Sequence, residues 1–162
     1  MSAVHPVNHH AVIPAPFGAL GLRIDSGCLT GIDFLPAGAT LRPPCSDLAR
    51  QAAEQLAAYF QDARVIFDLP IALAGTPFRL RVWGAIRAIA CGETRTYGEL
   101  AATLGSAPRA VGQAVGDNPL PILIPCHRVV GHRGLGGFAH AGDGGMLDIK
   151  RWLLRHEGAL GR

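Results

Sequence analysis

The chain has 162 residues, 49% of them apolar and 17% charged, with a formal net charge of +3. That length suits one compact unit or two small abutting domains, and the apolar share excludes a disordered chain. No apolar run approaches the ~20 residues of a membrane helix, Met1 to His10 lacks the basic and apolar regions of a secretory signal, and the mild positive charge permits nucleic-acid binding without requiring it.

In chain order, residues 1–12 read as a mobile tail. From Gly18 to Leu35 the pattern predicts strand, turn, strand. Leu20, Leu22 and Ile24 share one parity, Asp25-Ser26-Gly27 supplies the turn, and Thr30, Ile32 and Phe34 alternate again. Pro36 to Pro44 is a loop. Ser46 caps a helix whose apolar face is Leu48, Ala52, Leu56, Tyr59 and Phe60. Val65 to Leu73 reads as a third strand, completing a small antiparallel sheet with one helix against it.

Everything after Thr76 reads as helix or loop. Thr76-Pro77 places a capping threonine before proline at the first helical position, with Phe78, Val82, Ile86 and Ile89 on one face. Thr96-Tyr97-Gly98-Glu99 has capping-box spacing, and its helix runs through Leu100 and Leu104 to a stop at Gly105. A further helix opens near Pro108 and runs from Arg109 to about Gly116, so the pair makes a helix-turn-helix. The last helix spans Leu147 to His156 and is closed by Gly158.

Cys28, Cys45, Cys91 and Cys126 form neither a CxxC pair nor zinc-finger spacing, so free thiols are expected. His5, His9, His10 and Cys28 match no metal-ligand spacing, and no metal site is expected. The glycines of Gly134 to Gly145 do not link a strand to a helix in the way a nucleotide-binding loop requires.

The chemistry concentrates in Asn118 to Val130, an apolar, proline-stiffened segment with Cys126 directly before His127. A nearby histidine is one of the features that supply a reactive thiolate. Adjacent side chains seldom face each other, so a bridging water is the expected link between the two. Read alone, Cys126 also fits a small buried hydrophobe, Asn118 an Asn-Pro turn starter, Tyr97 a packing residue and Arg109 a surface contact. Glu157, an acid near a helix C-terminus, sits where the helix dipole disfavours it. The helix after Arg109 is built of small residues, which suits close approach to a minor groove better than reading of base edges in the major groove.

Pro125-Cys126-His127-Arg128-Val129 resembles the alkyl-acceptor motif of the O6-alkylguanine-DNA alkyltransferases, the methylated-DNA–protein-cysteine S-methyltransferases. The similarity is strong from Thr76 to Gly158 and weaker from Tyr59 to Gly75. It implies an α+β fold. Residues 1–74 would form a ribonuclease H-like support domain with a three-stranded antiparallel sheet and one helix. Residues 75–162 would form a mostly helical, winged-helix-like domain that binds DNA and accepts the alkyl group.

The resemblance also implies the reaction: irreversible, single-turnover transfer of an alkyl group from O6-alkylguanine, and from O4-alkylthymine, in double-stranded DNA to Cys126. No metal, nucleotide or other cofactor would be needed, and the protein would act as a monomer in the cytoplasm. His127 would be the base, Glu157 its partner, Tyr97 a donor to the extruded guanine and Asn118 the hinge of the cysteine loop. Arg109 would enter the base stack, with Thr94, Ala110, Gly112 and Arg128 also on DNA. Pro121, Val129, Phe138 and Ala139 would line the pocket. About five residues are inserted around His140-Ala141-Gly142-Asp143-Gly144, which leaves the pocket size open. Two other readings are a silent lesion-binding protein, which Cys126 opposes, and a helix-turn-helix regulator, which the small-residue helix and the Cys-His pair oppose. A cysteine hydrolase would need an oxyanion hole that no motif supplies.

Overall fold

The structure is a computed structural model that describes residues 8–140 and 144–160. Three strands, β1 (Ala11–Ala15), β2 (Gly18–Asp25) and β3 (Cys28–Leu35), form an antiparallel sheet in the order β1-β2-β3. Helix α1 (Asp47–Gln61) lies against it and is capped by Ser46, whose hydroxyl accepts from Ala49 N at 3.1 Å. Leu20, Leu22, Leu29 and Ile32 of the sheet share one core with Ala52, Leu56 and Tyr59 of α1.

The three-stranded sheet stands, but its third member differs from the expected one. β1 occupies residues assigned in part to the tail, of which residues 1–7 lie outside the described ones. Pro14 hides this strand in the sequence; it is tolerated because β1 is the edge strand, whose outer side meets only the bridge Val12–Arg42 and no further strand. Residues 65–73 are extended, with Val65, Phe67, Leu69, Ile71 and Leu73 packed against the core, yet they join no ladder beyond the bridge Leu29–Ile71. Pro70 lacks an N–H, and the Gln55 side chain takes both backbone groups of Asp68, donating to its carbonyl at 3.0 Å and accepting its N–H at 2.8 Å.

The second half follows its local signals closely. α2 (Pro77–Arg87) starts at Thr76, and α3 (Tyr97–Leu104) starts at Thr96, whose hydroxyl accepts from Glu99 N at 3.0 Å. Gly105 ends α3 in a left-handed turn at φ 64, which favours glycine. α4 (Pro108–Gly116) completes the helix-turn-helix, and Trp83 Nε1 of α2 donates to Ala114 O of α4 at 2.9 Å. Two short strands that the sequence did not signal, β4 (Arg95–Thr96) and β5 (Val129–Val130), pair in parallel. α5 (Gly144–His156) begins three residues before the expected Leu147. No helix among the described residues is long and apolar enough to cross a membrane.

Between α4 and β5 the chain makes the turn that carries Cys126. Asn118 closes it from within: its Nδ2 donates to Ile124 O at 2.8 Å, and its Oδ1 accepts from Leu120 N at 2.9 Å. Ile122 is buried at φ 76, a conformation that costs a β-branched residue on the order of 1–3 kcal/mol. Ile32 N of β3 donates to Pro119 O at 2.9 Å, which ties the sheet to the loop.

Candidate active site

Cys126, His127 and Arg128 form a single 3-10 turn at the end of this loop. Cys126 is only 5% exposed and lines a cavity of about 230 Å³ with Ile32, Phe34, Val115, Asn118, Pro121, Phe138, Ala139 and Met146. A wider cleft of about 510 Å³ adjoins it. The cleft is lined by Tyr97, Arg109, Gly112, Gly137, His140 and the same Phe138 and Ala139. The thiol therefore sits at the inner end of an opening whose rim is the helix-turn-helix.

Burial pushes the Cys126 thiol up to about 11, opposed by the Asn118 side chain, the Lys150 ammonium and the N–H groups of Cys126 and His127. The resting group is thus a thiol. Desolvation outweighs every stabilising contact, so a base is needed to take the proton, the role expected of His127. Its proton must leave as the reaction proceeds.

His127 is fully buried. Its Nε2 lies 2.9 Å from Glu157 Oε1, oblique to the ring N–H, so the contact is a close charge approach more than an aligned hydrogen bond. A carboxylate there favours the tautomer with hydrogen on Nε2, leaving the Nδ1 lone pair free, and Nδ1 has no partner among the described residues. Burial lowers the His127 pKa, while Glu157 works in the other direction. A neutral imidazole that can accept a proton at Nδ1 is the result.

Glu157 carries four contacts. Arg128 Nε donates to Oε1 at 2.8 Å and Arg128 Nη2 to Oε2 at 3.0 Å; Tyr59 Oη donates to Oε2 at 2.7 Å; His127 is the fourth. Burial alone would raise its pKa, but His127 and Arg128 together hold it at about 2. Arg128 Nη1 also donates to Ile89 O at 2.6 Å. The assignment of Arg128 to DNA is corrected on this ground: its guanidinium is spent inside the protein, with the side chain 12% exposed.

Lys150 of α5, which sequence reasoning missed, is wholly buried. Its ammonium donates to Val129 O at 2.7 Å, to Gly137 O at 2.8 Å and to Leu135 O, so all three N–H bonds are used. Burial lowers its pKa to about 8, with the Cys126 charge as the opposing influence. It pins the segment that forms the cavity wall. The Val129 side chain is buried, its carbonyl accepts from Lys150, and its N–H donates to Cys126 O.

Tyr97, at the start of α3, lines the cleft, and its hydroxyl donates to Gly137 O at 3.4 Å. Burial raises its pKa, so it remains a donor. Gly136 packs so closely on this ring that a Cβ would stand 2.8 Å from it, at φ 72. Arg109 is exposed at the first turn of α4, with Ala110 exposed beside it and Gly112 half-buried; Thr94 is half-buried just before β4. Pro121, Phe138 and Ala139 line the cavity around Cys126. Of the inserted loop, residues 141–143 lie outside the described ones, and His140 Nε2 lies 2.8 Å from Asp117 Oδ1.

Among the described residues, no three His, Cys, Asp or Glu side chains are grouped to hold a metal. His9 pairs with Asp33 at 2.8 Å, His10 Nδ1 accepts from Ile24 N at 3.3 Å, and the four cysteines are free. His5 lies outside the described residues.

The family model of the 6-O-methylguanine DNA methyltransferase DNA binding domain matches residues 77–159. A methylated-DNA–protein-cysteine methyltransferase of Methanosarcina acetivorans is 40% identical over 159 residues, covering 93% of this chain and 99% of the relative. The crystal structure of the Mycobacterium tuberculosis O6-methylguanine methyltransferase aligns with a TM-score of 0.78 and 38% identity over 96% of both chains. The same organism's OGT in complex with DNA aligns with a TM-score of 0.74 and 41% identity over 91% of both chains.

Proposed function

The chain belongs to the methylated-DNA–protein-cysteine methyltransferase family, and on that premise we propose that Cys126 is the cysteine that takes the alkyl group from O6-alkylguanine in duplex DNA. The observation that carries this reading is Cys126 lining a cavity that shares Phe138 and Ala139 with the cleft, directly before the buried His127 that pairs with Glu157. The thiol proton passes to His127 Nδ1, through one bridging water. Sulfur attacks the alkyl carbon in line, a sulfur–carbon bond forms and the carbon–oxygen bond breaks. Guanine leaves as its anion and takes a proton, with Tyr97 as the hydrogen-bond donor on that side.

The electrostatics fit such a path. A thiol held at about 11 is ionised to less than a thousandth at neutral pH, a cost of about 5 kcal/mol. The neighbouring Lys150 charge already holds that cost down, and Glu157 stabilises the imidazolium as it forms. The thioether has no hydrolytic route back to the thiol, so each molecule acts once.

The alkylated oxygen is buried in a duplex, so the nucleotide must be turned out of the stack at a cost of a few kcal/mol. Arg109, exposed on the cleft rim, fills the space it leaves, while Ala110 and Gly112 allow α4 to approach the minor groove closely and Thr94 contacts the backbone. We divide the chain at residues 74 and 75 into a support domain and a DNA-binding, alkyl-accepting domain. We assign it to the cytoplasm as a monomer, with O4-alkylthymine as a second substrate. The test is label transfer from a duplex carrying labelled O6-methylguanine. Cys126→Ala should bind the duplex and remain unlabelled; a labelled variant would overturn the assignment.

A further inference from the structure

We infer that Tyr59, on the helix of the N-terminal half, is a positioning residue for alkyl transfer that acts through Glu157; the inference rests on the reading of Cys126, His127 and Glu157 above. Tyr59 is 1% exposed and stands 98 residues from Glu157 in sequence, yet its hydroxyl donates to Oε2 at 2.7 Å. The carboxylate is thereby partitioned. Oε1 serves His127 at 2.9 Å and Arg128 Nε at 2.8 Å, while Oε2 is held by Arg128 Nη2 at 3.0 Å and by Tyr59.

The arginine fork holds the carboxylate from one side only, through a side chain that is itself 12% exposed. A second anchor comes from a different element, and Tyr59 is the donor that supplies it. Burial raises the Tyr59 pKa far above its ordinary value, so the hydroxyl keeps its hydrogen. The main chain of the same residue makes a second tie. Near the end of α1 the carbonyl of Tyr59 lacks a partner within the helix, and His156 Nε2 donates to it at 2.6 Å. The His156 ring is stacked on Trp152 with centroids 4.7 Å apart. One residue of α1 thus grips His156, the last of α5, and Glu157 directly after it, and the N-terminal half takes part in orienting the proton acceptor.

Packing alone does not account for the hydroxyl. The Tyr59 ring meets Phe60 and Phe67, and a phenylalanine would fill the same space. Glu157 lines neither the cavity around Cys126 nor the cleft, so a change at Tyr59 should alter transfer and not DNA binding.

The test uses the full-length protein with Tyr59→Phe, Glu157→Gln and the double variant, measuring single-turnover methyl transfer from a duplex with O6-methylguanine and affinity for undamaged duplex. Tyr59→Phe should slow transfer about tenfold with affinity within about twofold, and should slow the Glu157→Gln protein by less than about twofold. Equal losses in both backgrounds, or transfer at the unaltered rate, would overturn the inference. Nitrogen NMR of the His127 ring, at temperatures where each variant is folded, gives an independent reading. Tautomers should mix in Tyr59→Phe, and an unchanged Nε2-protonated ring would also overturn it. Glu157→Gln transferring at full rate would instead remove the underlying relay.

Discussion

Arg128 grips both oxygens of Glu157, Nε to Oε1 at 2.8 Å and Nη2 to Oε2 at 3.0 Å, inside a region where the Glu157 side chain has no solvent exposure. A motif arginine that could have faced DNA is instead the counter-charge of the relay. Removing it strands a buried carboxylate, which costs about 3–5 kcal/mol. Arg128→Ala should therefore lower the urea midpoint sharply, while affinity for undamaged duplex stays within about twofold among molecules that remain folded. A large loss of affinity with unchanged stability would restore the DNA-contact reading.

Acid should act on the same residue. Glu157 is held at about 2 when folded against an ordinary 4.5, so the folded state binds fewer protons between those values. The stability this provides is fully present above pH 4.5 and is lost as pH falls toward 2, on the order of 3 kcal/mol in all. Urea unfolding from pH 6 to pH 2 should show this fall. Glu157→Gln should be less stable at pH 6 and should lack that part of the pH dependence. Parallel curves for the two proteins would contradict the assignment.

Lys150 sets an upper pH limit on one component of the rate. Burial lowers its pKa to about 8, so its charge beside the thiol is lost as pH rises past that value. Lys150→Met should reduce transfer at pH 7 at least tenfold, by releasing three wall carbonyls as well as removing the charge. The unaltered protein should lose the charge-dependent part of its advantage over Lys150→Met above pH 8, and a constant ratio from pH 7 to pH 9 would exclude the charge effect.

Arg109 is exposed and lies on the rim of the cleft. Arg109→Ala should slow transfer from duplex DNA at least tenfold and change the reaction with free O6-alkylguanine by less than about twofold. Equal losses on both substrates would show that the side chain does not act in turning the nucleotide out.

What could be read from the sequence was mostly local. Thr76-Pro77, Thr96 with Glu99, and Gly105 carry their helix boundaries within three or four residues, and each stands where it was expected. The alternation of residues 65–73 correctly marked extended chain, but pairing depends on what lies alongside, and there Gln55 takes the place of a strand. β1 was concealed by Pro14, which is harmless only at a sheet edge. Cys126, His127 and Asn118 were legible as a cluster because one loop carries them. Arg128 was misassigned and Tyr59 and Lys150 were missed because their roles arise from contacts 29, 98 and 21 residues distant. The raised Cys126 pKa is likewise a property of burial that no neighbour in sequence reveals.

The central claim, that Cys126 takes one alkyl group and keeps it, is tested most directly by intact mass and peptide mapping after incubation with excess duplex containing O6-methylguanine. The account predicts a gain of one methyl per protein, saturating at one and located on the peptide that holds Cys126. A methyl on Cys28, Cys45 or Cys91, or continued loss of lesions beyond one per protein, would contradict it.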